Sequence, residues 1–345
     1  MASHESEPRN PDQDSQADVM RDRTLRSAAV LLYAVSAGAL QVAHAPPRCA
    51  LSLQATATSP LVQSLDRVAA AAGDVIVVKY GGHAMTDPVA AEAFAADVAL
   101  LQRLGLRPVV VHGGGPQIAA MLKKLEIESR FVSGLRVTDD DTMAVAEMVL
   151  CGSINKKIAS AICESGGRAV GLSGRDDALV TATRKRGREV DPKTGEAREV
   201  DIGRVGEPQA VRAELLEALL EAGVTPVIAP VAYGEGGDAY NVNADTMAGA
   251  VAVALRARSL LLLTDVAGVM DSSKTVLDRI TCERAQGLID SGDAIGGMIP
   301  KLGTAMDAVR GGVGGAVVMD GRVTHCVIEH LFGDDMTGTL ITDGK

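Results

Sequence analysis

The chain has 345 residues, 47% of them hydrophobic, and a formal net charge of -10 at pH 7, enough apolar material for one large α/β domain or two lobes. The acidic balance argues against binding a phosphate backbone, and the lack of Trp, with only three Phe and four Tyr, argues against a base-stacking platform, so nucleic acid is not an expected partner. Five scattered cysteines without a Cys-x-x-Cys pair point to neither a disulfide framework nor a zinc site, and they fit a reducing compartment.

Residues 1–22 are polar and acidic. Arg21, Arg23 and Arg26 then precede an apolar run over 28–42 that ends in Ala43-His44-Ala45, the pattern of a signal peptide with a small-x-small cleavage site. Interrupted by Ser36, Gly38 and Gln41, that run is too short to span a membrane. The stretch from Pro46 to Ser59 lacks acids and is rich in Ala, Ser and Thr, as organellar transit segments are. A signal-plus-transit leader over 1–58 predicts import into a plastid (the chloroplast stroma) bounded by extra membranes, with no membrane association of the mature form. The alternative to a targeting leader is an unstructured tail with a chance apolar patch, and the alternative locations are the mitochondrion and the cytoplasm.

From residue 59 the sequence becomes periodic. Leu61, Leu65, Val68 and Ala72 share one helical face and Gly73 follows them, predicting a helix over 59–72. An apolar strand from Val75 through Lys79 runs into Gly81-Gly82. A helix over 87–104, a strand over 107–112 that runs into Gly113-Gly114-Gly115, and a helix entered through Pro116 follow. One or two helices are predicted over 143–164, with strands over 168–172 and 225–233. Between these strands, residues 181–205 alternate around Asp191-Pro192-Lys193-Thr194-Gly195 and read as a hairpin protruding from the sheet. Glu189, Glu196, Glu199 and Asp201 interleave with its basic run at 184–188, which makes it a solvated element rather than a binding patch. A helix over 243–256, a strand over 260–264, a helix over 298–310 and a strand over 316–319 complete the alternation. Continuous apolar strands separated by helices predict a three-layer αβα sandwich with a mainly parallel central sheet.

Two strands that each end in consecutive glycines suggest an anion site. There backbone N–H groups converge where a Cβ would block approach, a helix N-terminus adds positive potential, and Lys79 supplies a full charge. The chain has no Gly-x-x-x-x-Gly-Lys-Ser/Thr loop, no Gly-x-Gly-x-x-Gly after a strand, and no His-Arg-Asp or Asp-Phe-Gly set, so P-loop, dinucleotide-binding and protein-kinase readings fail. Gly311-Gly312-Val313-Gly314-Gly315 lies between a helix end and a strand and reads as a C-cap loop.

The residues that suit phosphoryl chemistry come in separated blocks: Lys79 with Gly81 and Gly82; His112 to Pro116; Ser133-Gly134-Leu135-Arg136; Asn241-Val242-Asn243-Ala244-Asp245; Thr264-Asp265-Val266-Ala267-Gly268; and Gly296-Gly297-Met298-Ile299-Pro300-Lys301. In this order and spacing the chain, from about Gly73 to its end, resembles the amino acid kinase family, and within it the acetylglutamate kinases. That resemblance implies ATP-dependent phosphorylation of the γ-carboxylate of N-acetyl-L-glutamate in arginine biosynthesis. It implies two lobes, about 73–240 for the acetylamino acid and for pairing with a second subunit, and about 241–345 for ATP. Mg2+ would be held mainly by the nucleotide phosphates. Lys79 and Lys301, with Gly82, would bind the phosphoryl group in flight, and Asp245 would hold the lysines. Gly114, Gly115, Arg136 and Asn241 would grip the acceptor. Asp265, Val266, Gly268 and Met270, with Asp293 and Ile295, would form the nucleotide wall. The rival readings are another enzyme of the family, such as an acetylaminoadipate or glutamate kinase, and a non-catalytic amino acid sensor, against which the intact Lys79, Asp245 and Lys301 argue.

Elementary chemistry agrees. A carboxylate acceptor, with an unperturbed pKa of about 4.3, is ionised at neutral pH and needs no general base. The obstacle is charge repulsion, overcome by cations and N–H dipoles around the transferring group. His112 is therefore expected to be a turn or packing residue. Arg136 suits a bidentate carboxylate clamp, and Lys301, in the first turn of a helix, is unfavourably placed unless an anion sits beside it. Asp245 alone reads equally as a capping or solvating residue.

At the C-terminus His325, Glu329 and His330 fall on an expected helix, too few to form a metal site. Arginine-inhibited relatives carry a Pro-His pair with Glu five positions later, where this chain has Thr324-His325 and then His330, with Glu329 one earlier. His325, Glu329 and Gly338 are the regulatory candidates, and the missing carboxylate puts arginine feedback in doubt. A homodimer is expected, or a hexamer built through the 59–72 helix. A PII-type signalling protein is the partner a plastid setting suggests.

Overall fold

The computed structural model describes residues 59–190, 196–334 and 337–344. The leader expected over 1–58 lies outside them, as do residues 191–195 and Met336. The first described element, α1 (Pro60–Ala71), leads into β1 (Val75–Tyr80), a 3-10 turn (Gly82–Met85), α2 (Pro88–Arg103), β2 (Arg107–His112) and α3 (Gly115–Lys124). A two-stranded hairpin of β3 (Phe131–Val132) and β4 (Leu135–Arg136) precedes α4 (Asp140–Glu147), a π-helical stretch (Met148–Ile154) and α5 (Asn155–Glu164). Then come β5 (Ala169–Gly174), β6 (Val180–Val190), β7 (Ala197–Val211), α6 (Ala213–Glu221), β8 (Thr225–Tyr233) and β9 (Ala239–Val242). The remaining elements are α7 (Ala244–Ala254), β10 (Ser259–Thr264), β11 (Arg279–Thr281), α8 (Cys282–Asp290), α9 (Met298–Arg310), β12 (Ala316–Asp320), α10 (Cys326–Phe332) and β13 (Thr339–Thr342).

Period-two alternation in the middle strands sets the layers. In β1, Ile76, Val78 and Tyr80 enter one core and Val77 the other. In β10, Leu261 and Leu263 join the first core, Leu260 and Leu262 the second. Helices cover both faces, as an expected αβα sandwich requires. Among the described residues eleven strands form one sheet in the order β11-β13-β12-β10-β1-β2-β8-β6-β7-β9, with β5 also paired to β8. The sheet is mainly parallel, with antiparallel pairs at β12–β13, β6–β7 and β8–β9. Strand β1 lies at its middle, between β10 and β2.

The 59–72 helix forms as expected, with its apolar face only partly covered: Leu61 is 68% and Leu65 58% exposed, whereas Ala71 is buried in the core and Val68 packs against it. Polar ties add to that contact. Ser64 Oγ and Arg67 Nη2 donate to the Phe332 carbonyl at the end of α10, at 2.8 and 2.9 Å, and Arg67 also pairs with Asp334 at 2.8 Å. His325 is not on the last helix but precedes it, in the left-handed region at φ 59°. Its Nδ1 lies 2.6 Å from Asp97 Oδ1 on α2, while His330 Nδ1 reaches the Thr337 carbonyl at 2.8 Å. The two imidazoles thus serve different neighbours, Glu329 is exposed, and Gly338 turns at φ 87° beside Val318.

The hairpin is longer than expected, running through β6 and β7, and exposed pairs such as Arg184–Asp201 and Arg198–Glu189 line it as a solvated ribbon. The 143–164 segment is two helices joined by the π-helical stretch. That wider turn presses Leu150 and Ile154 against the second glycine cluster. A Cβ at Gly114 would stand 2.6 Å from both Leu150 Cδ2 and Ile154 Cδ1, so any larger residue there has to displace those side-chain ends.

Candidate active site

Lys79 follows Val77 on one face of β1, the face covered by α7 and α9. Gly81 makes room for it, since a Cβ there would lie 3.1 Å from Lys79 Nζ and 3.3 Å from its Cε. Gly82 sits at φ 72°, a conformation natural to glycine. Across from Lys79, Asn243 caps α7, its Oδ1 accepting from Asp245 N at 2.8 Å and Thr246 N at 3.1 Å. That cap fixes Asp245 in the first turn, where a negative charge suits the helix dipole. Its carboxylate is shared: Oδ1 lies 3.0 Å from Lys79 Nζ, an ion pair without hydrogen-bond alignment, and Oδ2 accepts from Lys301 Nζ at 2.7 Å. The side chains of all three are mostly buried.

Burial opposes the charge on Asp245, but the two lysines outweigh it and hold its carboxyl below the usual carboxylate range. Burial also lowers Lys79, aided by Lys301 and resisted by Asp245. The cluster is a buried +1 unit whose two ammonium groups are positioned by one anion.

Cavities flank it on both sides. One, of about 420 Å³, is lined by Gly114, Gly115, Arg136 and Asn241, the four acceptor residues expected from the sequence, and reaches Asn243 and Ala244 beside Asp245. Arg136 is buried. Its Nη2 donates to the Gly115 carbonyl at 3.0 Å and its Nη1 to Ser129 Oγ, and its guanidinium carbon lies 4.6 Å from the Phe131 ring centroid. Burial pushes its pKa down, and no carboxylate among the described residues pairs with it. A buried guanidinium facing a cavity without a counter-charge favours an anionic ligand. Asn241 Nδ2 donates to Thr138 Oγ1 at 3.3 Å.

The other cavity, of about 630 Å³, is lined by all six expected nucleotide residues (Asp265, Val266, Gly268, Met270, Asp293 and Ile295) and by Lys301. Ile295 is 74% exposed, an apolar side chain left at the rim. The C-terminal strand braces the wall: Val269 N donates to Thr339 Oγ1 at 2.8 Å, and a Cβ on Gly268 would come 2.7 Å from the same oxygen. A third cavity, of about 340 Å³ between β7, α7 and α9, holds one charged residue, Asp307, and none of the expected ones. The two glycine turns are joined directly, Gly113 N donating to the Tyr80 carbonyl at 2.8 Å. His112 is fully buried, and burial lowers its pKa to about 4, as suits a packing residue. Sequence reasoning did not find the Asn243 cap, the Phe131 stack or the Thr339 brace. The first had a signal, an Asn at the head of the apolar run 244–254; the other two are long-range contacts without one.

The chain carries the features of a known family over most of its length. A family model described as the amino acid kinase family matches residues 74–320. The chain is 53% identical over 289 residues to the acetylglutamate kinase of Rhizorhabdus wittichii, covering 84% of this chain and 96% of that protein. It is 53% identical over 270 residues to that of Rhodospirillum centenum, covering 78% and 88%. Among solved structures it resembles N-acetylglutamate synthase from Neisseria gonorrhoeae complexed with coenzyme A and N-acetyl-glutamate (TM-score 0.72, 23% identity), covering 84% of this chain and 64% of that one. It also resembles carbamate kinase from Giardia lamblia bound to AMP-PNP (TM-score 0.56, 17% identity), covering 79% and 99%. These two likenesses are of fold.

Proposed function

The chain belongs to the amino acid kinase family, and on that premise we propose that it transfers the γ-phosphoryl group of ATP to the γ-carboxylate of N-acetyl-L-glutamate, an acetylglutamate kinase reaction of arginine biosynthesis. The observation that carries this reading is the buried Lys79–Asp245–Lys301 unit between two cavities, one with an unpaired buried arginine. The acceptor identity rests on the kinases 53% identical to it. A carboxylate oxygen of the acceptor forms the new bond to the γ-phosphorus as the bond to the bridging oxygen of ADP breaks, giving an acyl phosphate and ADP. No proton moves to start the reaction, because the acceptor is already ionised. Lys79 and Lys301 offset the charge that gathers on the equatorial oxygens, assisted by the Gly82 N–H. Asp245 keeps both cations from drifting and from repelling each other. Arg136, Asn241 and the Gly114 and Gly115 amides hold the acceptor for in-line attack.

The residues present fit ATP with magnesium carried by the nucleotide. Asp245 is committed to two lysines, and among the described residues no group of three or more His, Cys, Asp or Glu is placed to hold a metal. Magnesium, when bound with the triphosphate, adds charge neutralisation at the β- and γ-phosphates.

The test is ADP release by the purified chain from Ser59 onward, with N-acetyl-L-glutamate against free glutamate, aspartate and acetylaminoadipate. Turnover confined to any of the other acceptors sinks the assignment. The exposed Leu61, Val62 and Leu65 on α1 support assembly through that helix, and light scattering that returns a monomer overturns it. The composition of 1–58 supports plastid import, and a 1–58 fluorescent fusion that reaches the mitochondrion or stays in the cytoplasm refutes it.

A further inference from the structure

Beneath the second glycine turn lies a buried polar linkage that the transfer chemistry does not use. His112 ends β2 with a fully buried ring. Its Nδ1 lies 2.9 Å from the Gly113 carbonyl and its Nε2 3.2 Å from Asn155 Nδ2. A carbonyl only accepts, so Nδ1 carries the proton, and Nε2 is left as an acceptor for the Asn155 amide. Asn155, at the start of α5 just after the π-helical stretch, is itself fully buried. The same Nδ2 group is 2.8 Å from the Val227 carbonyl and 3.1 Å from that of Leu172, so its two hydrogens are shared among three acceptors and one amide ties β2, β8 and β5 together. Its Oδ1 accepts from Lys156 Nζ at 3.2 Å, which fixes the amide's orientation. Gly171 makes way for it, since a Cβ there would lie 1.9 Å from Asn155 Oδ1.

Gly113 is thereby held at both ends: its N–H by the Tyr80 carbonyl at 2.8 Å, its C=O by His112. In a planar trans peptide the C=O of one residue and the N–H of the next point in opposite directions. Drawing the Gly113 carbonyl toward the imidazole therefore turns the Gly114 N–H away from it, and Gly114 lines the acceptor cavity. We propose that His112 is a positioning residue that sets the Gly113–Gly114 peptide plane for the acceptor, and that Asn155 enforces the Nδ1-protonated tautomer this requires.

The inference rests on the acetylglutamate reading above, and its test has a part that does not. In the full chain labelled with 15N-histidine, long-range 1H–15N correlation, assigned with a His112→Asn variant, reports which ring nitrogen is protonated. Nδ1–H at His112 is expected, and Nε2–H overturns the proposal whatever the substrate. Asn155→Asp places an acceptor against Nε2 and draws the proton there, so the spectrum reports the exchange. With the Gly114 N–H misdirected, KM for N-acetyl-L-glutamate rises about 10- to 100-fold, the scale of one weakened hydrogen bond to a charged group, while KM for ATP stays within about twofold. His112→Asn, whose amide N–H can replace Nδ1–H, retains a lower acceptor KM than His112→Leu. An Asn155→Asp enzyme with switched tautomer and unchanged acceptor KM refutes the coupling. A wild-type chain inert toward N-acetyl-L-glutamate refutes the function instead and leaves the tautomer result standing.

Discussion

Replacing Asp245 with Asn keeps the shape of the side chain and removes the charge that two lysines share. In the wild-type chain Lys79 Nζ and Lys301 Nζ lie 3.0 and 2.7 Å from its two oxygens, with the carboxylate side chain only 8% exposed. Removing one partner from a buried ionic contact costs about 3–5 kcal/mol, because the remaining charges stay desolvated. Lys79 takes most of the consequence. Burial and Lys301 already lower its pKa, and Asp245 is the largest influence raising it, so in the variant it falls further below the 10.5 of a free lysine. The sign of the linkage follows. A lysine whose folded pKa is depressed destabilises the fold while it must stay protonated, and that penalty shrinks as pH rises through the folded pKa. The stability deficit of Asp245→Asn, measured by urea denaturation, is thus expected to be smaller at pH 9 than at pH 7. Activity moves the other way, because transfer needs the ammonium. We expect kcat to fall about 100- to 1,000-fold at pH 7, equivalent to roughly 3–4 kcal/mol of lost transition-state stabilisation, and to fall further toward pH 9 relative to wild type. Stopped-time ADP assays across that range measure it. A variant with wild-type kcat and pH dependence would refute the claim that Asp245 organises the two cations.

Arg136→Lys keeps the charge and loses the fork to Gly115 and Ser129 and the stack on Phe131; KM for the acceptor should rise about 10- to 100-fold with KM for ATP steady, and an equal change in both would show that Arg136 does not face the acceptor. Gly114→Ala drives a Cβ into Leu150 and Ile154 at a cost of about 1–3 kcal/mol, and a double-mutant cycle with Leu150→Ala should show coupling of at least about 1 kcal/mol; additive effects would rule out the clash. His112 has a folded pKa of about 4 against 6.5 for a free imidazole, so its contribution is complete above pH 6.5 and lost as pH falls toward 4, on the order of 3 kcal/mol at 1.36 kcal/mol per pH unit. His112→Gln should therefore show a shallower acid slope of urea midpoints between pH 7 and 4.5, and a slope equal to wild type would contradict the buried neutral imidazole.

The layer order was legible because the central strands are continuously apolar and their helices long. β1, β2 and β10 are bounded by the glycines and capping residues that the sequence displays openly, and the expected helix over 298–310 matches α9 to the residue. The site was legible in blocks, since lysine, aspartate and glycine at strand ends and helix starts are local signals. Hidden were features that depend on what lies opposite. Leu61 and Leu65 satisfy helical periodicity whether the face meets a core, a second chain or water, so the pattern fixed the helix and not its burial. β3, β4, β9, β11 and β13, of two to four residues each, are too short for alternation to declare them. His325 was placed on a helix by spacing, yet its bond to Asp97 and its left-handed backbone put it outside the first turn.

The place of β13 bears on how the chain matures during synthesis. It is the last strand in chain order among the described residues, yet it lies inside the sheet, parallel to β11 on one side and antiparallel to β12 on the other, and its Thr339 braces the wall at Val269. Strand β11 has no place in the sheet until residues 339–342 leave the ribosome. The half with the first glycine turns can collapse around β1, β2 and β8 while the polypeptide is still growing, whereas the nucleotide wall closes only once β13 has been made. A chain truncated before Thr339 would keep the acceptor pocket and leave the ATP side open, because both the partner of β11 and the brace at Val269 would be missing.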